Sequence, residues 1–425
     1  MTAVETLRIK NFAGIKDAQI ELSRMNVFIG PQASGKSVCA KLLFYFKEII
    51  RRTEFGRESD KLNTQRQIDH QNLFLRYFPA SAWSKGLFEI EYTFGALSIA
   101  VRRQASTSAK LYVAYSKHYH QFIRSERKAI KNALNSRTDE DKSRSGLTLV
   151  FRNLKAKLAQ EFGPILANEN YFIPAGRSFF SSLELSVFTL IASDIKIDPF
   201  LSEFGQRYTN ARRAYSFHSD EQKEARVLSS FMGRLVCGTY KRIRERDYIL
   251  TNDGRQVPVE NSSSGQQEVL PLVLVVSEIA EDEKRAGRST LFVEEPEAHL
   301  YPTAQREIVH LLAAVTDLAS DETSSQYVIT THSPYILSAL NNLMYGAQLA
   351  ALSPDKRARV VQVLGEAVLV PAENVRAYAF GEGQVQSIID AETGLVRATI
   401  LDSVSNELAK EFEALVDIEF EEMAA

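Results

Sequence analysis

The chain has 425 residues, of which 44% are hydrophobic and 24% are charged, and its formal net charge is −2. This composition is typical of a globular protein with two or three lobes, and the balanced charge gives no general reason to expect nucleic acid or a membrane surface as a partner. Two cysteines exclude a disulfide framework and a CxxC metal site, and the sequence shows neither an apolar run that could span a bilayer nor the regions of a signal peptide. We therefore expect a cytoplasmic protein without a membrane partner.

The hydrophobic pattern predicts strands and helices in alternation. In chain order these are two short strands in 5–23, a buried strand at 25–30, a helix from Ser37, a polar loop at 53–72, a hairpin in 87–104, a basic helical stretch in 105–160, a strand leading into a loop at 171–178, a helical segment to Glu245, a hairpin in 246–260, a helix opening at 261–267, a strand at 290–294, a helix at 303–318, a strand at 327–330 and short strands in 359–390. This order predicts an α/β fold with a mixed sheet, N-terminal antiparallel strands and an inserted helical region.

Residues 30–37, GPQASGKS, have the spacing G-x-x-x-x-G-K-[ST] and lie between a predicted strand and a predicted helix. The two glycines allow backbone N–H groups to point at phosphate oxygens, and the helix N-terminus adds favourable partial charge. Lys36 is expected to reach the β- and γ-phosphates of ATP, and the Ser37 hydroxyl to ligate Mg²⁺. The predicted nucleotide contacts of this loop are Gly30, Gln32, Ala33, Ser34, Gly35, Lys36 and Ser37.

The predicted strand at 290–294 runs through an apolar stretch and ends in Glu294 and Glu295. Ionised carboxylates at the end of a buried strand are costly unless a cation or proton chemistry compensates them. In P-loop folds a second strand ends beside the phosphates, and its terminal acid helps to hold Mg²⁺. We predict that Glu294 is this metal-side residue and that Glu295 polarises the attacking water. An aspartate is more common at the first position, so both a direct and a water-mediated metal contact stay open for Glu294.

Two further motifs follow the same chemistry. SSSGQQ at 262–267 opens a helix, where Ser264 offers a hydroxyl, Gly265 allows close backbone approach and the helix dipole attracts an anion. VITTHSP at 328–334 places His332 just past a buried strand. Each motif is weak alone, because Ser/Gly helix caps are common and a lone histidine is more often structural. Their order along the chain, after the P-loop and on either side of the acid strand, is much more specific.

Five stretches together resemble the AAA_15/AAA_21 group of ABC-type ATPases, which includes the ATPase half of overcoming-lysogenization-defect proteins and the ATPase components of the PARIS and Septu anti-phage systems. These stretches are LRIKNFAGIKDAQIELSRMNVFIGPQASGKS, YFIPAGRS, SSSGQQEVLPL, FVEEPEAHLYPTAQ and VITTHSPYIL. The resemblance implies an ABC-type P-loop ATPase head. It divides the chain into a first ATPase part at 1–104, a basic helical insertion at 105–170, a strand, helical segment and hairpin at 171–260, and a second ATPase part at 261–425.

The resemblance also implies a mechanism and partners. Members of this group act as head-to-head dimers, so Ser264, Gly265 and Gln266 would contact ATP held by the P-loop of another copy, while His332 would sense the γ-phosphate. A homodimer or higher homo-oligomer would then bind ATP and Mg²⁺ and control a separate effector, such as a Toprim- or HNH-type nuclease. A DNA-maintenance or repair ATPase related to chromosome-structure proteins is the alternative, and a transporter motor is a third and weaker one.

Three local features are open to two interpretations. Residues 102–157 contain 14 Lys/Arg against 4 Asp/Glu, which indicates either a solvated helical face or a surface for an acidic trigger protein or DNA. Arg177 could reach nucleotide or another subunit, or could form a structural salt bridge. Gln65 or Gln67 could be the Q-loop glutamine, although an ordinary polar loop is the better prediction.

Overall fold

The computed structural model describes residues 4–55, 63–83, 86–103, 111–135, 144–182, 197–215, 223–286, 288–317, 325–364 and 369–397. Its strands are β1 (Glu5–Phe12), β2 (Ile15–Leu22), β3 (Met25–Ile29), β4 (Phe88–Phe94), β5 (Leu97–Arg103), β6 (Leu111–Tyr115), β7 (Glu169–Ile173), β8 (Thr239–Ile243), β9 (Arg246–Leu250), β10 (Gln256–Pro258), β11 (Ser289–Glu294), β12 (Gln326–Thr331), β13 (Val375–Gly381) and β14 (Gln384–Ser387). Its α-helices are α1 (Lys36–Phe55), α2 (Asn63–Tyr77), α3 (Lys117–Asn135), α4 (Arg144–Phe162), α5 (Ser178–Ser182), α6 (Pro199–Tyr215), α7 (Lys223–Val236), α8 (Ser264–Ala286), α9 (Pro302–Asp317), α10 (Pro334–Ala350) and α11 (Pro354–Leu364).

Within these ranges, eleven strands form one mixed sheet in the order β6-β5-β4-β1-β2-β14-β13-β3-β12-β11-β7. The β6-to-β2 half is antiparallel and built of hairpins, whereas β13, β3, β12, β11 and β7 run parallel. Every residue of β3, β11 and β12 is buried, as expected for parallel strands that are covered on both faces. The predicted α/β class, with a mixed sheet, N-terminal antiparallel strands and helices inserted between β6 and β7, is confirmed.

Two hydrophobic layers cover the parallel half of the sheet. On one face, Val27 and Ile29 of β3 belong to a core formed with α8, α9 and α10, while Phe28 points to the opposite core with α1. In that second core the ring of Phe44 on α1 packs edge-on against Phe172 of β7 and Phe292 of β11, with centroid separations of 5.6 and 5.5 Å. The helix that follows the P-loop is therefore fixed directly over the strands that end at the predicted site. No helix in the described ranges is both long and apolar enough to cross a bilayer.

A second, three-stranded sheet has the order β10-β9-β8 and carries the predicted 246–260 hairpin. Its buried anchor is Asp247, whose carboxylate accepts hydrogen bonds from Tyr240 (2.7 Å), from Arg212 of α6 (2.8 Å) and from Arg242 (3.1 Å). Burial, together with the charge of Asp247, raises the pKa of Tyr240 far above its ordinary value. This ionic cluster ties the small sheet to the helical layer.

Four sequence predictions of local structure are wrong. The helical segment predicted to run to Glu245 ends at Val236, and residues 239–243 form β8 because they pair with β9. The predicted polar loop at 53–72 instead holds the end of α1 and the start of α2, because Arg66, His70, Phe74 and Tyr77 recur at helical spacing and are buried. Residues 56–62 of that stretch lie outside the described part. The predicted strands in 359–390 begin only at Val375, after the polar helix α11. Residues 111–115, predicted as helical, form β6 because they complete the edge of the sheet beside β5.

Candidate active site at the ends of three parallel strands

Three adjacent parallel strands carry the predicted chemistry to one edge of the sheet. Strand β12 lies between β3 and β11, pairing Thr331 with Ile29 and Thr330 with Glu294. Because parallel strands end at the same edge, the P-loop after β3, the glutamates at the end of β11 and His332 after β12 emerge side by side. The P-loop is therefore a neighbour in space of the glutamates and of His332, which follow it in the chain by more than 250 residues.

The P-loop backbone wraps closely against the next strand and around its own lysine. A Cβ atom at Gly30, where φ is +155°, would lie 2.3 Å from the carbonyl oxygen of Phe380 on β13, so only glycine fits there. Lys36 is buried, and its Nζ donates to the carbonyl oxygens of Gly30 (2.8 Å) and Pro31 (2.7 Å). Burial lowers the pKa of Lys36, and the charges of Glu295 and Glu297 oppose that effect. An ammonium already partly desolvated is well prepared to bind phosphate.

Glu294 has the surroundings of a metal ligand. It is buried, and the Ser37 hydroxyl and the Ala175 N–H lie close enough to its carboxylate to lower its pKa. Burial raises the pKa of Glu294, which the charge of Lys41 and these two groups only partly offset. Its Oε1 atom is buried without a hydrogen-bond partner. A hard cation such as Mg²⁺ takes a carboxylate and a hydroxyl oxygen as ligands and keeps its other positions for water and phosphate, so Ser37 and Glu294 fit it. In the described ranges no group of three or more His, Cys, Asp or Glu side chains is placed to hold a metal ion.

Glu295, His332 and Lys36 form one hydrogen-bonded chain. The Nζ atom of Lys36 lies 3.4 Å from Nδ1 of His332, and Nε2 of His332 lies 3.2 Å from Oε1 of Glu295. Since an ammonium can only donate, Nδ1 accepts and the Nε2–H donates to Glu295. Glu295 adopts a φ of +42°, a conformation unusual for a residue with a side chain, and its N–H donates to the carbonyl of Thr330 (2.9 Å). Glu295, the predicted base, and His332, the predicted sensor of the γ-phosphate, are therefore in direct contact.

The sequence analysis missed Glu297, which holds the histidine in place. Its Oε1 accepts from the Thr331 hydroxyl and from the His332 backbone N–H, both at 2.7 Å. Its proximity to Glu295 in the stretch EEPE was the available signal, but its partners lie 34 and 35 residues further along the chain, where no spacing rule reaches. Glu297 thus fixes the backbone from which His332 projects.

The motif SSSGQQ at 262–267, called the signature from here on, lies at the start of α8. The helix is capped by Ser263 and Gln266, since the Gln266 N–H donates to the Ser263 hydroxyl (3.3 Å) and the Ser263 N–H donates to Gln266 Oε1 (3.1 Å). The side-chain amide of Gln266 also donates to the Val236 carbonyl (2.7 Å), so this residue is engaged within its own subunit. Ser264 is exposed, and a Cβ atom at Gly265 would lie 2.9 Å from the His299 carbonyl oxygen. The structure thus leaves Ser264 exposed to solvent at the start of α8, while Gly265 and Gln266 are half-buried.

Arg177 and Gln67 have structural partners. Arg177 is fully buried and pairs with Glu268 of α8, with Nη2 and Oε1 3.3 Å apart, which favours the salt-bridge interpretation over nucleotide contact. Burial alone would raise the pKa of Glu268, but Arg177 and the N–H groups around it hold that pKa below its ordinary value. Gln67 is part of α2, and its amide donates to the Val113 carbonyl of β6 (3.0 Å), so the polar-loop prediction for it is wrong.

A family model described as an AAA ATPase domain, AAA_15, matches residues 3–173 and 190–337, which is most of the chain. The chain belongs to this family. It is a P-loop protein of the ATP-binding, ATPase type, and the P-loop, acid strand and histidine described above all lie within the matched residues. The family assignment agrees with the first half of the resemblance drawn from the sequence.

Among solved structures, three SMC heads are similar to this chain at low TM-scores. The Smc head bound to the C-winged helix domain of ScpA has a TM-score of 0.42 and 12% identity, covering 92% of this chain and 98% of that one. The Smc head with an extended coiled coil bound to the C-terminal domain of ScpA, derived from Pyrococcus furiosus, has a TM-score of 0.38 and 13% identity, covering 99% and 100%. The SMC head domain from Thermotoga maritima has a TM-score of 0.36 and 12% identity, covering 91% and 98%. Likeness at this level says nothing about the partners of this chain.

Proposed function

We propose that this protein binds and hydrolyses ATP in an ABC-type site shared between two copies, and that it is the sensor and scaffold subunit of an anti-phage defence complex that controls a separate effector. The observation that carries the ATPase part is the chain from Lys36 through His332 to Glu295, next to the Ser37–Glu294 pair. It combines a phosphate-binding cation, a candidate base and two oxygen ligands at one edge of the sheet.

Each side chain then has a separate task. Lys36 exchanges the loop carbonyls it now contacts for phosphate oxygens, where its charge stabilises the transferring group. Glu295 accepts a proton from the attacking water, and His332 keeps the carboxylate oriented from the other side. Ser37 and Glu294 would hold Mg²⁺, which supplies charge neutralisation at the β- and γ-phosphates when bound. Catalysis on this scheme is mostly positioning and charge stabilisation.

The open N-terminus of α8 supports a shared site. The backbone N–H groups of a helix N-terminus attract anions, and Ser264 there is exposed. Gly265 keeps this turn close to the His299 carbonyl, so its backbone is fixed before any partner arrives. We propose that Ser264 and Gly265 contact ATP bound by the P-loop of another copy, which makes a homodimer or higher homo-oligomer the active form.

The sensor role rests on the motif resemblance and on the basic helical region. Some of that charge is already matched, because Lys157 pairs with Glu126 at 2.7 Å and Lys155 with Glu169 at 3.4 Å. Arg124 and Lys128 lie exposed on α3, one turn apart, and are available to an acidic trigger protein or to DNA. A Toprim- or HNH-type nuclease is the effector class that the resemblance implies.

The ATPase is tested with two substitutions and a charge-matched control. Lys36→Ala should abolish ATP binding, measured by calorimetry, while circular dichroism shows an intact fold. Glu295→Gln should bind ATP but hydrolyse it about 10²- to 10⁴-fold more slowly, because the amide cannot accept a proton. Lys10→Ala, an exposed change outside the site, should match the wild type in both assays. Normal ATP affinity in folded Lys36→Ala protein would refute the P-loop assignment.

The defence role is tested in cells that express the chain with its neighbouring genes. Protection from phage that is lost in Lys36→Ala, together with a nuclease that co-purifies with the wild type, supports the sensor. Absence of protection, combined with ATP-dependent binding to duplex DNA, would move the assignment to a DNA-maintenance ATPase.

A further inference from the structure

The guanidinium of Arg177 lies between the helix that begins at the signature and the strand that ends at the acids. It is fully buried in the loop between β7 and α5, where a charged group is tolerated only when its N–H donors find acceptors. Besides its bonds to those two elements, it donates from Nη1 to the Pro174 carbonyl at 2.9 Å. The contacts on its two sides join these two parts of the site directly.

Toward the acid strand, Arg177 holds the backbone of the two catalytic-site glutamates. Its Nη1 donates to the carbonyl oxygen of Glu294 at 2.7 Å, and its Nη2 donates to that of Glu295 at 3.0 Å. The Glu295 N–H is fixed from the other side by Thr330. The peptide group before the Glu295 Cα atom is thus bound at both its oxygen and its N–H, and the one after it at its oxygen. These bonds fix the backbone, with its φ of +42°, from which the Glu295 carboxylate projects.

Toward α8, the same side chain is locked to Glu268. Nε donates to the Glu268 carbonyl (3.2 Å), and Nη2 lies 3.3 Å from Oε1. The Glu268 carboxylate also accepts from the backbone N–H groups of Arg177 (2.9 Å) and Ser178 (2.8 Å). Glu268 follows Ser264 by four residues, one helical turn or about 6 Å of rise. A displacement of the first turn of α8 therefore acts on the guanidinium directly.

We infer that Arg177 is a positioning residue that, with Glu268, couples the N-terminal turn of α8 to the carboxylate of Glu295. The inference rests on the proposed function, in which that turn contacts ATP held by another copy. A planar guanidinium with its donors engaged cannot absorb a shift as a flexible lysine could, so movement at Ser264 reaches Glu295. Hydrolysis then depends on whether the second copy has docked against the first turn of α8.

The test uses Arg177→Lys, which keeps the charge and loses the fork, and Glu268→Gln, which keeps the shape and loses the charge. Both should retain ATP binding, with KM within about threefold of wild type, and lose about 10- to 100-fold in kcat, the usual effect of removing a group that orients a catalytic one. The double variant should be no slower than the worse single variant, because the two residues act as one unit.

The matched control is Arg212→Lys, which weakens a similarly placed ion pair with Asp247 in the small sheet. It should lower the melting temperature and leave kcat unchanged. A kcat within twofold of wild type in both Arg177→Lys and Glu268→Gln would overturn the inference, and so would an equal loss of kcat in Arg212→Lys. If Arg177→Lys does not fold, the kcat of Glu268→Gln alone decides. Wild-type protein that does not hydrolyse ATP at all would instead refute the proposed function.

Discussion

A buried ion pair between the first strand and the P-loop helix should stabilise the whole sheet. Lys47 of α1 lies 2.7 Å from Glu5 of β1, and their side chains are 2% and 3% exposed. Glu5 also accepts from the Tyr92 hydroxyl (2.7 Å) and the Gln326 amide (2.9 Å). Lys47→Met would leave the carboxylate buried with these two neutral donors alone. Breaking a buried pair costs about 3–5 kcal/mol, and because two hydrogen bonds survive we expect the lower end, about 3 kcal/mol.

Urea unfolding followed by circular dichroism measures this loss, which is a large share of a typical stability of about 5–15 kcal/mol. The double variant Glu5→Gln/Lys47→Met removes both charges and should recover to within about 1 kcal/mol of wild type. The control is Arg102→Met, since Arg102 and Glu89 are 2.6 Å apart but 40% and 39% exposed; it should cost about 0–1 kcal/mol. A loss below about 1 kcal/mol in Lys47→Met, or a double variant that loses the sum of the single variants, would refute the reasoning.

Three further outcomes are expected. Gly30→Ala should lose about 1–3 kcal/mol and weaken ATP binding, because its Cβ would clash with the Phe380 carbonyl, whereas Gly254→Ala, with open space around it, should leave ATP binding intact. Burial lowers the pKa of His310, so the neutral imidazole makes its full contribution to the free energy of unfolding above about pH 6.5, and that contribution is lost as the pH falls below this value. His310→Gln lacks the titrating group, so between about pH 7.5 and about pH 5.5 its melting temperature should fall less than that of the wild type. Replacing Arg124 and Lys128 with glutamate should leave the basal ATPase rate unchanged and weaken partner binding. Binding to duplex DNA whose affinity falls steeply with salt would identify DNA as that partner. Unchanged protection from phage would mean that these residues form only a solvated face.

The parts of the site that lie close together in the chain could be predicted, and the parts that depend on distant partners could not. The P-loop conformation of residues 30–37 could be predicted, since the spacing of its glycines and lysine determines how the loop wraps around a phosphate. Glu294 and Glu295 were found because charge at the end of an apolar strand is physically unusual. The Arg177–Glu268 pair spans 91 residues, and only the packing of α8 against the loop after β7 brings its members together. The sequence near either residue therefore does not indicate this contact.

The same division explains the errors in the fold. A strand such as β3 is recognisable alone because both of its faces are buried, so all of its residues are apolar except Asn26, whose amide is hydrogen-bonded. The first half of helix α2 buries polar side chains, Arg66 and His70, before the apolar Phe74, so its sequence resembles a loop. Strand β6 is short, and what makes it a strand is the free edge of β5 beside it. Tertiary context decided both elements.

The position of β3 between β13 and β12 sets a timetable for synthesis of the protein. Both strands that pair with the P-loop strand are made late in synthesis, because β12 ends at Thr331 and β13 ends at Gly381. At ordinary translation rates of about 5–20 residues per second, roughly 20 to 70 s separate β3 from β13 on the ribosome. During that interval β1 and β2 can close as a hairpin and α1 can pack against them, as the Lys47–Glu5 pair shows, while β3 lacks both of its neighbours in the sheet until β12 is made. We expect the nascent chain to rely on chaperones in this window, and a stalled or truncated chain lacking β13 to aggregate rather than bind nucleotide.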